Sequence, residues 1–117
     1  MKFTEIDGII INENKILSSD SGNVLHALKK TDLGYTSFGE AYFSEIKVGK
    51  TKGWNRHKKM IMNIIVPNGE IKFLFFDDRE GSSTFGFYQE IILSRNNYCR
   101  VTIPEMVWVL FQNVGNE

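Results

Sequence analysis

The chain has 117 residues, of which 42% are hydrophobic and 13% aromatic, and this fits one folded domain covering residues 1–117. Fourteen basic and fourteen acidic residues leave no net charge, which argues against a nucleic-acid-binding protein. Because the chain has no long apolar run, no leader-like residues 1–5 and only one cysteine, Cys99, we expect a soluble, cytoplasmic protein that does not contact membranes.

Short apolar segments alternate with turn residues along the whole chain. Ile71, Phe73 and Phe75 recur with a period of two, and this alternation predicts a strand with one buried face. The same pattern recurs in two later sets of residues: Phe87, Ile91 and Leu93, then Cys99, Val101 and Ile103. Several short strands, spaced about 8–12 residues apart, are typical of a sandwich or barrel. The predicted fold class is therefore all-β.

Two strand pairings follow from the same pattern. Met60–Val66 and Glu70–Phe76 flank Pro67–Gly69, whose proline and glycine suit a tight reversal, so we predict a hairpin there. Val107–Phe111 is the last apolar run before the C-terminus. We expect it to form an unpaired barrel edge, which a second subunit or further strands would cover.

Residues 50–59 contain six basic side chains and no acid. On a strand, Trp54 and Arg56 would share one side, and Asn55, His57 and Lys59 the other. Neighbouring lysines favour a neutral imidazole at His57, which is the form that a general base needs. The alternative interpretation is a solvated strand edge with a structural histidine.

Other candidate sites are weaker. His26 lies among apolar residues and is interpreted as a partly buried, hydrogen-bonded side chain rather than a ligand. With no histidine after His57 and a single cysteine, we expect neither a metal nor a cofactor. Asp77 and Asp78 follow a strand and are interpreted as turn residues, with a pairing to His57 or a lysine as the alternative.

Residues 69–104 resemble the dTDP-4-dehydrorhamnose 3,5-epimerase family of RmlC-like cupins. The resemblance rests on motifs in a fixed order: Gly69-Glu70-Ile71, Asp77-Asp78-Arg79, Ser83-Thr84-Phe85-Gly86, Leu93-Ser94 and Ile103-Pro104-Glu105. Upstream, Lys52–Lys59 is similar to the R-G-x-H-A-H-K stretch of the related dTDP-4-keto-6-deoxyglucose 3,4-ketoisomerases, with Asn55 in place of the first histidine.

The resemblance implies a jelly-roll barrel, in which the last strands could be missing. It also implies a homodimer that exchanges an N-terminal strand and works without metal. The substrate would be a nucleotide-diphospho-4-keto-6-deoxy sugar used for surface polysaccharides. His57 matches the catalytic base, Lys52 stands where the family has a phosphate-contacting arginine, and Lys59 or Lys72 would stabilise the enolate. Trp54, Asn55 and Arg56 complete the expected substrate-binding set.

The chain also departs from the family pattern. Residues 104–110 contain no histidine, and Ser21-Gly22 lacks the arginine of the family's D-x-R-G element. Two alternatives therefore stay open: a catalytically silent cupin that binds sugar nucleotides, and a structural or interaction cupin whose basic strand contacts an acidic partner.

Overall fold

The chain forms nine β-strands and no helix in a computed structural model that describes all 117 residues, which confirms the all-β prediction. There is consequently no helix that is long and apolar enough to span a lipid bilayer. The strands are β1 (Ile10–Glu13), β2 (Ile16–Leu17), β3 (Val24–Leu25), β4 (Thr51–Arg56), β5 (Met62–Ile64), β6 (Ile71–Phe76), β7 (Tyr88–Leu93), β8 (Cys99–Ile103) and β9 (Trp108–Asn113).

Two antiparallel sheets account for most of the strands. The four-stranded sheet has the order β4-β9-β6-β7, and the three-stranded sheet has the order β1-β8-β5. β2 and β3 form a separate small ribbon. Apart from β6 and β7, neighbours in both larger sheets are not consecutive in sequence, as in a jelly roll, where the chain repeatedly crosses between sheets.

The core lies between the inner faces of the two larger sheets. Phe73 and Phe75 of β6 are 3% and 0% exposed, and Val101 and Ile103 of β8 face them from the other sheet at 1% and 3%. The predicted burial of these residues is thus confirmed in both strands, and the packed sheets confirm the jelly-roll fold. β8 is unusual because its outer side chains are buried as well, Arg100 to 2% and Thr102 to 3%.

The predicted hairpin around Pro67–Gly69 is wrong. β5 pairs with β8, whereas β6 pairs with β7 and β9, so the turn carries the chain from one sheet to the other. Alternation reports only that each strand has a buried face. In a sandwich, strands of opposite sheets bury their faces in the same core. A hairpin within one sheet and a turn that crosses between two sheets therefore give the same sequence pattern.

The expectation that Val107–Phe111 is an unpaired edge is also wrong. β9 lies in the interior of the four-stranded sheet, between β4 and β6. The edge strands are β4 and β7. The β7 edge is partly covered, because Tyr88 accepts a backbone hydrogen bond from Thr4 at 2.9 Å and donates one to Lys2 at 2.8 Å.

A long segment before β4 projects from the sandwich. Residues 36–46 form no strand and make no backbone–backbone hydrogen bond. Phe38, Tyr42 and Phe43 are 76%, 67% and 97% exposed. This projecting segment therefore presents large apolar side chains to solvent, which single chains seldom do in one contiguous stretch.

Candidate active site

The predicted basic segment coincides with β4, and a β-bulge decides which way its side chains face. Lys52 pairs with Phe111 and Asn55 pairs with Val109, while the register shifts between Gly53 and Asn55 and leaves Trp54 without a partner. Directly paired residues of neighbouring strands point to the same side of a sheet. Since Val109 faces the core, Lys52 and Asn55 lie on the interior side of β4.

The bulge requires the glycine that the sequence supplies. Gly53 has φ +113°, and a Cβ atom at this position would lie 2.7 Å from the Val109 carbonyl oxygen. Any other residue would therefore be strained and would push β4 away from β9. Trp54, the residue within the bulge, is 41% exposed.

His57 follows the last residue of β4 and is half-buried. Its backbone carbonyl accepts a hydrogen bond from the Met106 amide at 2.8 Å, so it still lies against the segment that leads into β9. By strand alternation His57 belongs on the same side as Asn55. Lys52 donates a hydrogen bond to the Ser44 hydroxyl at 3.3 Å. The interior side of β4 thus carries an amine, an amide and an imidazole.

Arg56 and Lys72 lie on the opposite, outer face of the four-stranded sheet. Arg56 pairs in register with Trp108, and its guanidinium lies 4.6 Å from the centre of that ring. Lys72 pairs in register with Gln112 and forms an ion pair with Glu90 at 3.2 Å. The structure therefore does not bring these two cations together with Asn55. Lys59 is exposed in the segment between β4 and β5.

Asp77 has a structural environment that the sequence did not reveal. Its carboxylate is fully buried and accepts hydrogen bonds from the Arg79 amide and guanidinium and from the Ser82 and Thr84 hydroxyls at 2.6–3.0 Å. Burial alone would raise the pKa of Asp77, but these hydrogen bonds outweigh it and hold the pKa well below its usual range. Arg79 also donates to the Asp7 carbonyl, so the cluster ties the N-terminal segment to the β6–β7 connection.

Arg100 is a second buried charge that sequence reasoning missed. It donates hydrogen bonds to the Leu33 carbonyl and to the Asn63 side chain at 2.8–3.1 Å, and it lies 3.9 Å from the Asp32 carboxylate. Its position between two core residues of β8 suggested a solvent-facing side chain, but the turn at residues 32–35 covers it.

No group of three or more His, Cys, Asp or Glu side chains is arranged to hold a metal ion. Two surface hollows lie away from β4, one beside residues 3–5 and β7 and the other around Asn14 and His26. Neither is lined by a residue of the predicted site, and polar or charged side chains line both almost throughout, whereas ligand pockets are mostly apolar. The interior side of β4 remains the candidate active site.

Comparisons with known proteins agree with this fold. No protein-family model matches the chain. It is 35% identical to a dTDP sugar isomerase of Desulfovibrio desulfuricans G20, with a TM-score of 0.91 over 95% of this chain and 71% of that one. A dTDP-6-deoxy-D-glucose-3,5-epimerase of Legionella pneumophila, solved with dTDP-4-keto-L-rhamnose, is 26% identical, with a TM-score of 0.82 over 97% of this chain and 64% of that one.

A curated relative is a probable low-salt glycan biosynthesis epimerase of Haloferax volcanii, which is 31% identical over 78 residues. The match covers 66% of this chain and 50% of the relative, so the chain aligns with about half the length of that protein. Taken with the 35% identity to the dTDP sugar isomerase, the fold and the motif order confirm the resemblance. The chain belongs to the RmlC-like cupin family of dTDP-4-dehydrorhamnose 3,5-epimerases and dTDP sugar isomerases.

Proposed function

We propose that the chain is an isomerase or epimerase of a dTDP-4-keto-6-deoxy sugar and serves the synthesis of surface polysaccharides of the O-antigen or rhamnose type. The observation that supports the proposal is the register of β4, which puts Lys52 and Asn55 on its interior side, with His57 directly after the strand. The chain is 35% identical to a dTDP sugar isomerase, and polar groups on the interior side of an edge strand suit a nucleotide sugar.

The chemistry needs one base and one group that stabilises negative charge. A C4 ketone acidifies the protons on C3 and C5, so the His57 imidazole can take one of them and leave an enolate whose charge rests on O4. Hydrogen-bond donors aimed at that oxygen lower the barrier. The imidazolium then holds the proton on the face from which it was taken, so the epimer forms only when a second donor, such as solvent water, protonates the opposite face of the same carbon. In the C3 enolate, return of the proton from His57 to C4, with the O3 hydroxyl proton passing to O4, gives the 3-keto isomer instead.

The side of the sheet on which each residue lies suggests its role in binding the substrate. The Lys52 amine suits the diphosphate, and the Asn55 amide can donate a hydrogen bond to O4. Trp54 is exposed enough to stack on the base or the sugar. Lys72 is less suited to the enolate than Asn55, because it faces away from the interior and is paired with Glu90.

Exchange in heavy water tests the proposal directly. The protein is incubated with dTDP-4-keto-6-deoxyglucose, and deuterium at C3 and C5 is followed by NMR. We expect exchange that falls by about 10²–10⁴-fold in His57→Asn, the usual contribution of a general base. His26→Asn is the matched control, since His26 is the only other histidine and lies outside β4. Exchange that survives in His57→Asn would reject His57 as the base.

A second candidate function is a catalytically silent cupin that binds dTDP sugars. Asn55 favours it, because it occupies the place where the resemblance expects the first histidine. Saturable dTDP binding without any deuterium exchange would select this function. Neither binding nor exchange, together with a partner whose affinity weakens with salt, would select the structural or interaction cupin instead.

We also propose that the chain is a single cupin domain that works as a cytoplasmic homodimer. The exposed Phe38, Tyr42 and Phe43 of the projecting segment support the dimer, because a second copy could cover them. Sedimentation velocity at micromolar concentration should show the dimer. Replacing Phe38 and Phe43 together by serine should shift it to monomer, and a stable wild-type monomer would reject the proposal.

A further inference from the structure

Three side chains on the outer face of the four-stranded sheet fasten the end of β4. The Arg56 guanidinium stacks on Trp108 at 4.6 Å and lies 3.7 Å from the Asp78 carboxylate. The indole of Trp108 donates a hydrogen bond to the same carboxylate at 3.0 Å. Arg56 is therefore held by a cation–π contact and an ion pair at once, and both of its partners lie on neighbouring strands or at their ends.

His57, the residue after Arg56, is held through its backbone by Met106. Met106 has φ +69° and is the only non-glycine residue with a positive φ. The amide of this strained residue donates a hydrogen bond to the His57 carbonyl at 2.8 Å. His57 thus follows a locked residue and has its own carbonyl locked, while its imidazole is left without a partner in the chain.

We propose that the Arg56–Trp108–Asp78 cluster and Met106 together form a clamp that fixes the backbone of His57 after the end of β4 and thereby positions its imidazole. Arg56 and Met106 are positioning residues in this scheme, since they act on the backbone of His57 and from outside the interior. The inference rests on the proposed function only in the role given to His57. The clamp also explains why the strained residue Met106 lies next to the candidate base His57, because backbone strain and pre-organisation commonly occur together at active sites.

The clamp should matter more for rate than for binding. An imidazole held within about 0.5 Å of its productive position is pre-organised, and a displacement of about 1 Å can cost 10²-fold in rate. Substrate affinity depends mainly on groups that contact the nucleotide, which the clamp does not touch. We therefore expect loosening variants to lower kcat by about 10- to 100-fold while KM changes by less than about threefold.

NMR of the two histidine rings tests the clamp without any substrate. In Arg56→Gln, the ring signals of His57 should shift or broaden, and those of His26 should stay unchanged. Glu90→Gln is the matched control, because it breaks another outer-face ion pair of the same sheet, with Lys72, at a distance from His57 in the sequence. This control should leave the His57 signals as they are.

Met106 gives an independent test in case Arg56→Gln does not fold. Met106→Gly retains the left-handed backbone and should keep the wild-type His57 signals, whereas the β-branched Met106→Val should move them. Unchanged His57 signals in both Arg56→Gln and Met106→Val would overturn the clamp, even if activity fell. A wild-type protein without deuterium exchange would overturn the proposed function, and the ring signals would still decide whether the clamp exists.

Discussion

The Asp77 cluster should contribute strongly to stability, and the test is Asp77→Asn. The carboxylate is fully buried and receives five hydrogen bonds from Arg79, Ser82 and Thr84. An asparagine keeps the shape but turns one acceptor oxygen into an NH2 group that faces donors. Because the change also removes one partner of a buried ion pair, we expect a loss of about 3–5 kcal/mol in the free energy of unfolding.

The contribution of Asp77 to the free energy of unfolding should decrease as the pH is lowered. The pKa of Asp77 is lowered in the folded state, so its contribution is fully present above the unfolded-state pKa of about 4 and is lost as the pH falls below it. Urea unfolding at pH 7 and at a series of lower pH values should therefore show a steeper acid loss in the wild type than in Asp77→Asn.

Glu80→Gln is the control for this experiment, since Glu80 is an exposed neighbour. It should change the free energy of unfolding by less than about 0.5 kcal/mol. A cost below about 1 kcal/mol for Asp77→Asn, or equal acid slopes in wild type and variant, would refute the reasoning.

Two further predictions concern a close approach and a buried thiol. Gly34→Ala should destabilise the protein by more than about 2 kcal/mol, because φ is +94° and the new Cβ would clash with Thr102, at 2.2 Å from its hydroxyl oxygen. Gly22→Ala, with φ +131° and open space, should cost less, and thermal unfolding of both variants compares them; equal losses would contradict the steric argument. Burial, with a smaller effect from Glu13, raises the pKa of the Cys99 thiol, so alkylation by iodoacetamide at pH 8 should be at least about tenfold slower in the native than in the unfolded protein. Equal rates would show that Cys99 is accessible.

The fold class was readable from the sequence because period-two burial is a local property. Phe73 and Phe75 alternate with half-buried residues whichever strand lies beside them, so their burial follows from the pattern alone. Pairing partners are not local. The turn at Pro67–Gly69 has the residues of a hairpin, yet it connects two sheets, and nothing within those residues distinguishes the two outcomes.

The candidate site was only partly predictable for a related reason. Asn55 and Arg56 were expected on opposite sides of a strand, and they are. The bulge at Gly53, which sets the side that Lys52 faces, depends on the pairing of β4 with β9, so sequence spacing could not show it. The alternation that buries Phe73 does place Lys72 on the outer face, but the ion pair of Lys72 with Glu90 depends on the pairing with β7. Arg100 was missed because covering by a distant turn leaves no trace in the alternation of β8.

The burial of β8 on both faces limits how its sequence can change during evolution. In most strands of a sandwich, every second residue faces water. Such a residue can be replaced by other polar residues with little loss of stability. All five residues of β8 are buried, with apolar side chains toward the core and Arg100 and Thr102 beneath the turn that contains Leu33. Drift in β8 therefore requires matched changes either in the opposite sheet or in that turn, and this strand should diverge more slowly than β7, where Glu90 and Ile92 are exposed.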